Sequence, residues 1–209
     1  MPVDGKLAAQ VAANLKGSLR LVEKPRAGKL CPRSTRPRVY VVGSLRRGAK
    51  DRPGGVKDID LMLIPSQAML RRAPAVAAIA GLSRAPCERV PCERAPKSLE
   101  LSTPEFKLAE GRRVSTTARV VPAGAARAIK IKVDLFVAAP EHRAFALLHY
   151  TGGREFNIRV RAHAKARGLL LNQYGLFSRQ TGKRVAKKFA TERSILSHLG
   201  VTNVPPSER

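Results

Sequence analysis

Residues 129–137 read IKIKVDLFV, with an apolar side chain at every second position. Successive side chains of a β-strand point to opposite faces. This spacing therefore predicts a half-buried strand with Ile129, Ile131, Val133, Leu135 and Val137 turned to a core. Asp134 is thereby sent to the other face. The segment VKDIDLMLI at 56–64 follows the same logic, with Ile59, Leu61 and Leu63 on one side and Asp58 and Asp60 on the other. Two carboxylates side by side on an open sheet face repel each other unless a cation lies between them. If the two strands are neighbours, three carboxylates converge on one spot. Such a set of oxygen ligands suits a pair of Mg²⁺ ions about 4 Å apart.

An isolated D-x-D pair commonly sits on a solvated edge, so the segment before it carries the argument. VYVVG at 39–43 predicts a buried strand ending in glycine, and SLRRGAK then opens a helix. At such a strand-to-helix junction, free backbone N–H groups and the helix dipole attract phosphate. Ser44 adds a hydroxyl donor there. Arg46 and Arg47 offer guanidinium forks matched to phosphate oxygens.

Elsewhere the pattern is mostly helical. Asp4 is placed to cap a helix running to about Val22, with Leu7, Val11, Leu15, Leu19 and Val22 on one face. Residues 23–38 read as a basic, proline-rich loop, and Pro53-Gly54-Gly55 as a turn. Between 65 and 128 the signals thin out. PCER occurs twice, at 86–89 and 91–94, which suggests a hairpin-like excursion and not a solenoid. After Pro140 helices are predicted at about 141–148 and 154–167, with HYTGG between them. GLLLNQYGLF predicts a short strand pair, and Thr191 is a capping residue before a last helix. On helix 154–167, Asn157, Arg161 and Lys165 share one face while Phe156, Val160 and Ala164 supply the buried one. The fold class is α+β: a palm-like mixed sheet with flanking helices over 1–140, then a small, mostly helical C-terminal lobe over 141–209.

Charge narrows the choice of partner. Forty Lys/Arg against fifteen Asp/Glu give a net charge of +25. Residues 141–209 alone carry 13 basic and four acidic side chains, so the excess is not confined to one tail. A polyanion compensates such a field. No stretch reaches the 18 or so apolar residues that span a bilayer, and no secretory leader is evident, so an intracellular protein without membrane contact is expected. Cys31, Cys87 and Cys92 form an odd set, which argues against a secreted disulfide framework. The four histidines do not pair with cysteine at zinc spacing.

G-S-L-R-R-G at 43–48, D-I-D at 58–60 and V-D-L-F at 133–136 resemble the palm signature of family X DNA polymerases. The resemblance continues through H-Y-T-G-G at 149–153, F-N-I-R-V-R-A-H-A at 156–164 and L-N-Q-Y-G-L-F at 171–177, in the family's order. It is nearest to the minimal polymerases X of large DNA viruses, of the asfarvirus type. The resemblance implies a nucleotidyltransferase palm followed by a nucleotide-binding lobe. It further implies a DNA-directed DNA polymerase that fills short gaps in DNA repair, adding nucleotides to a primer 3′-hydroxyl. Asp58, Asp60 and Asp134 would hold two Mg²⁺ ions, with Mn²⁺ as a substitute. Gly43, Ser44 and Arg47 would hold the incoming deoxynucleoside triphosphate. Tyr150, Thr151 and Gly152 would lie by its sugar and Asn157 by its base, and His149, where many cellular members carry tyrosine, would also belong to the nucleotide site. Arg159, Arg161 and Lys165 would face template DNA.

Lysine stands before the first aspartate where the family has glycine, and Asn157 is closer to the cellular members than to the viral ones. By the same resemblance Cys87 and Cys92 would close a disulfide; by residue type alone they could equally be small apolar residues. Residues 1–38 leave no room for a lyase or helix-hairpin-helix domain, so unspecific phosphate contacts would grip gapped or nicked DNA. A monomer is expected, in host cytoplasm or a virion if the source is viral. Two alternatives fit parts of the pattern. A template-independent nucleotidyltransferase shares the Gly-Ser and D-x-D parts. A non-enzymatic basic DNA-binding protein explains the charge but not the aspartates.

Overall fold

The alternation at 129–137 forms the central strand of a five-stranded mixed sheet. The structure, a computed structural model, describes residues 2–20, 38–49, 55–65, 98–101, 113–121 and 125–209. Its sheet strands are β1 (Arg38–Val41), β2 (Asp58–Ile64), β3 (Ser98–Leu101), β4 (Arg113–Val121) and β5 (Ile129–Val137). Their order is β1-β2-β5-β4-β3, with β2 and β5 parallel and every other pair antiparallel. Cys31, Cys87, Cys92 and the PCER repeat lie outside the described residues.

One sheet face carries the larger core. Ile59, Leu61 and Leu63 of β2 and Ile131, Val133, Leu135 and Val137 of β5 form a core with Val114, Ala118 and Val120 of β4. Helix α1 (Gly5–Arg20) covers them with Ala8, Val11, Ala12 and Leu15, an i, i+3, i+4, i+7 stripe. The Asp4 carboxylate caps this helix, accepting the Leu7 N–H at 2.9 Å. Val11 and Leu15 of the predicted stripe are buried and Leu7 packs half-buried against the same core, with Ala8 and Ala12 beside them. Small residues there let the helix lie close to the sheet. Ile129 departs from the expected buried face, being 36% exposed. The reason is register: β2 begins at Asp58 opposite Lys132, so β5 runs on past it and Ile129 meets only Val120 of β4.

The opposite sheet face is divided along its length. Met62 and Ile64, at the C-terminal half of β2, pack with Val42, Ala138 and Ala146. Ala146 belongs to helix α3 (Arg143–Thr151), which follows a single 3-10 turn at Pro140–His142. Because α3 covers only that half, Asp58, Asp60 and Asp134 are left at the uncovered end.

Helix α4 (Arg154–Ala166), a hairpin of β6 (Leu169–Asn172) and β7 (Gly175–Ser178), and α5 (Glu192–His198) complete the second lobe. Its core takes Phe156, Val160 and Ala164 from α4, as the sequence pattern required, with Leu171, Leu176, Ile195, Leu196 and Leu199. Ala144, Phe145 and Leu148 of α3 join it. Helix α3 therefore serves both cores, one on each side. Thr191 caps α5 in a capping box closed by Ser194. Among the described residues, no helix is long and apolar enough to cross a membrane.

Candidate metal and nucleotide site

Parallel pairing of β2 with β5 sets Asp60 directly opposite Asp134, with Asp58 one pleat earlier. Carboxylate oxygens of all three lie within 4.8 Å of one another. The bend that follows β1 closes the site from the side. Helix α2 (Gly43–Arg46) is a single turn, and the Val42 N–H donates to the Asp60 carbonyl at 2.9 Å. Gly43 has φ +62°, and a Cβ there would stand 2.0 Å from Asp60 Oδ2. Only glycine permits this bend to press on the carboxylate.

The three acids are not electrically alike. Burial, then repulsion by Asp58 and Asp134, pushes the Asp60 carboxyl up to about 6. Asp134 is 2% exposed, and burial alone would raise it too. Hydrogen bonds from Ser115, Lys132 and Arg113 outweigh that and hold it below the usual carboxylate range. Arg113 and Lys132 donate to Oδ2 at 2.6 and 2.9 Å, and Ser115 Oγ to Oδ1 at 2.5 Å. Arg113, Ser115 and Lys132 were not singled out from the sequence. For Arg113 and Ser115 the signal is faint, since β4 alternates Val114, Thr116, Ala118 and Val120, a weakly apolar period of two; Lys132 lies two residues before Asp134 on β5 and so shares its face.

Ser44 is half-buried on the α2 turn. The arginine pair reaches across to the second lobe. Arg47 donates to the Thr151 carbonyl at 2.8 Å, and Arg46 to the Thr151 hydroxyl. Arg46 also pairs with Glu192 at 2.6 Å, and Glu192 in turn with Arg209 at 2.6 Å. Thr151 has no exposed surface.

His149, Tyr150 and Thr151, expected between two helices, instead form the last turn of α3. The carbonyls of such a turn lack intrahelical partners. Asn157 Nδ2 supplies donors to the His149 carbonyl at 2.9 Å and the Gly152 carbonyl at 3.0 Å. Gly152 has no room for a side chain, since a Cβ would stand 2.7 Å from Asn157 Oδ1. A guanidinium only donates, so the 2.8 Å contact of Arg161 with His149 Nδ1 fixes a neutral ring protonated on Nε2. Burial, then the Arg161 charge, takes this histidine down to about 4. Tyr150 stacks on Phe136 of β5 at 4.1 Å, and Arg113 lies over the other ring at 5.7 Å. Arg159 lies over Phe156, and Lys165 is exposed on the face shared with Arg161.

Residues 146–209 match the family DNA polymerase beta thumb. The chain is similar to family X DNA polymerases over part of its length. Over 78 residues it is 42% identical to the Repair DNA polymerase X of African swine fever virus (isolate Pig/Kenya/KEN-50/1950), covering 37% of this chain and 44% of the viral one. Over 80 residues it is 41% identical to the DNA nucleotidylexotransferase of Eulemur macaco and 39% identical to that of Homo sapiens. Those matches cover 38% of this chain and 15% of each transferase. The chain thus matches less than half the length of the viral polymerase X. His149 to Lys165 fall inside the thumb match; Gly43, Asp58, Asp60 and Asp134 precede it and stand on their geometry.

Proposed function

We propose that this chain is a DNA-directed DNA polymerase of family X type that extends a primer 3′-hydroxyl across short gaps in DNA repair. The carrying observation is the meeting of Asp58, Asp60 and Asp134 within 4.8 Å beside the Gly43 bend. Residues 1–140 act as the nucleotidyltransferase palm and 141–209 as the nucleotide- and template-binding lobe. The similarity to viral repair polymerases supports gapped or nicked DNA and deoxynucleoside triphosphates as partners. The protein acts as a monomer inside the cell.

The donor set fits divalent metal. All three ligands are hard oxygens, and their mutual repulsion, written into the raised Asp60 carboxyl, is the cost that a bound cation removes. Two Mg²⁺ ions, when bound, would acidify the primer hydroxyl and neutralise the triphosphate. Lys132 and Arg113 keep Asp134 ionised and aimed at the site. Gly43 and Ser44 offer backbone and hydroxyl donors to phosphate. Arg47 lies beside them, placed for the triphosphate through its contact with Thr151. Tyr150 and Gly152 present a ring and a bare backbone to the sugar. Asn157 and Arg161, fixed on α4, present polar edges to base and template.

The test is primer extension on a one-nucleotide gap with each deoxynucleotide and Mg²⁺. Asp58→Ala should abolish incorporation while sparing DNA binding, and unchanged incorporation would remove the catalytic assignment. The similarity to the nucleotidylexotransferases favours a second reading, template-independent addition. Equal extension of single strands and gapped duplex would select it.

A further inference from the structure

The carboxylates occupy the N-terminal end of β2. At its other end, four to six residues along and thus roughly 13–20 Å away at 3.3 Å per residue, lies a separate cavity of about 740 Å³. Both lobes build it. Arg38 and Ile64, paired across β1 and β2, form one wall with Pro65; the start of α3 and the segment 184–190 form the other.

Five basic side chains line this space: Arg38, Arg143, Arg184, Lys187 and Lys188, against the single acid Glu141. None of the five forms a salt bridge among the described residues. Arg143 and Arg184 are held by backbone carbonyls, of Ala190 at 3.0 Å and Glu141 at 3.4 Å, which fix their position without neutralising them. Lys187 Nζ sits 5.8 Å above the Phe189 ring. Four net positive charges held around so small a volume repel one another, so an anion that enters relieves that cost. The floor, by contrast, is apolar, with Ile64, Val185 and Phe189. A volume of this size suits a small molecule and not a duplex.

From this pairing of a cationic rim with an apolar floor, we infer a second ligand site at the lobe junction that takes a free nucleoside polyphosphate. The phosphates lie against the Lys187–Lys188 rim and the base and sugar against the floor. The site is separate from the carboxylates and does not depend on the polymerase reading. Because both lobes line it, occupancy also ties the palm to the thumb-like lobe, and a bound ligand raises Tm.

The experiment uses the full chain carrying Asp58→Ala and Asp60→Ala, in EDTA and 150 mM salt, so that no metal-triphosphate site remains. ATP and inorganic triphosphate are titrated by calorimetry. The expected result is saturable one-to-one binding, tighter for ATP. Lys187→Glu/Lys188→Glu should weaken ATP tenfold or more, and Arg119→Glu/Lys130→Glu, a cross-strand pair of β4 and β5 at the N-terminal end of β5, should not. Ala186→Trp, which blocks the cavity without changing charge, should abolish binding and serves if the lysine variant does not fold. Equal losses in the two charge-reversed variants, or no saturation, would overturn the site. Equal affinity for ATP and inorganic triphosphate, or tighter binding of a phosphorylated oligonucleotide, would overturn the assignment to a free nucleotide.

Discussion

Replacing Gly43 with alanine attacks the site through geometry alone. The added Cβ would stand 2.0 Å from Asp60 Oδ2 and 2.8 Å from its Cβ and Cγ, whereas ordinary contact begins at 3.4 Å. The carboxylate must therefore retreat by about 1.4 Å, or the bend must lift away from β2. A displacement of that order at reacting groups costs roughly 10²-fold in rate. Stability falls as well: about 1–2 kcal/mol for a side chain at positive φ and a further ~1–3 kcal/mol for overpacking. At ~2–4 °C per kcal/mol for a chain this long, Tm drops by roughly 4–20 °C. Gly48 supplies the internal control. It has φ +83° with nothing within 4 Å of a built Cβ, so Gly48→Ala carries the backbone cost without the collision. Single-turnover extension, measured well below both melting temperatures, should fall about a hundredfold in Gly43→Ala and stay near wild type in Gly48→Ala. Equal rates in the two variants would refute the claim that Gly43 is there to admit Asp60.

Three further outcomes follow from the same contacts. Mg²⁺ should raise Tm in the wild type and leave Asp58→Ala/Asp60→Ala unmoved, because ligand binding stabilises only a fold that presents the site; a shift of the same size in both is the failing result. His149, brought down to about 4 from 6.5, binds its proton more readily unfolded than folded, so its stabilisation is whole above 6.5 and is lost as pH falls towards 4. Reduced by solvent at a half-buried ring, the shift corresponds to roughly 1–2 kcal/mol; urea unfolding across this window should flatten in His149→Gln, and an unchanged acid limb would rule the ring out. Asn157→Ala strips donors from two carbonyls and should cost about 1–3 kcal/mol, read as a lower urea midpoint at constant slope, with wild-type stability as the contrary finding.

The parts of the fold that could be read beforehand are those in which period and burial coincide. β5 runs from Ile129 to Val137 as its alternation demanded, and Phe156, Val160 and Ala164 form the buried line of α4. The aspartates were visible because each breaks an apolar run on the far face. What periodicity does not carry is where the neighbouring strand stops, which is why Ile129 is exposed. Nor does it carry which residue of a third strand stands opposite an acid. Ser115 faces Asp134 only through the β4–β5 register, and β4 itself, with threonine and arginine among its valines, gave little warning. Arg46 and Arg47 have the chemistry of phosphate ligands, yet a guanidinium fork suits a carboxylate or a carbonyl as well. Their hold on Glu192 and Thr151 depends on a lobe about a hundred residues away.

Helix α3 presents Ala146 to the sheet and Phe145 and Leu148 to the distal core, so neither lobe owns it. A swing of the distal lobe must carry this rod across the strands, and its tip bears the tyrosine stacked on Phe136, two residues beyond Asp134. Motion far from the acids thus registers first as slippage between two rings, where tyrosine fluorescence can follow it.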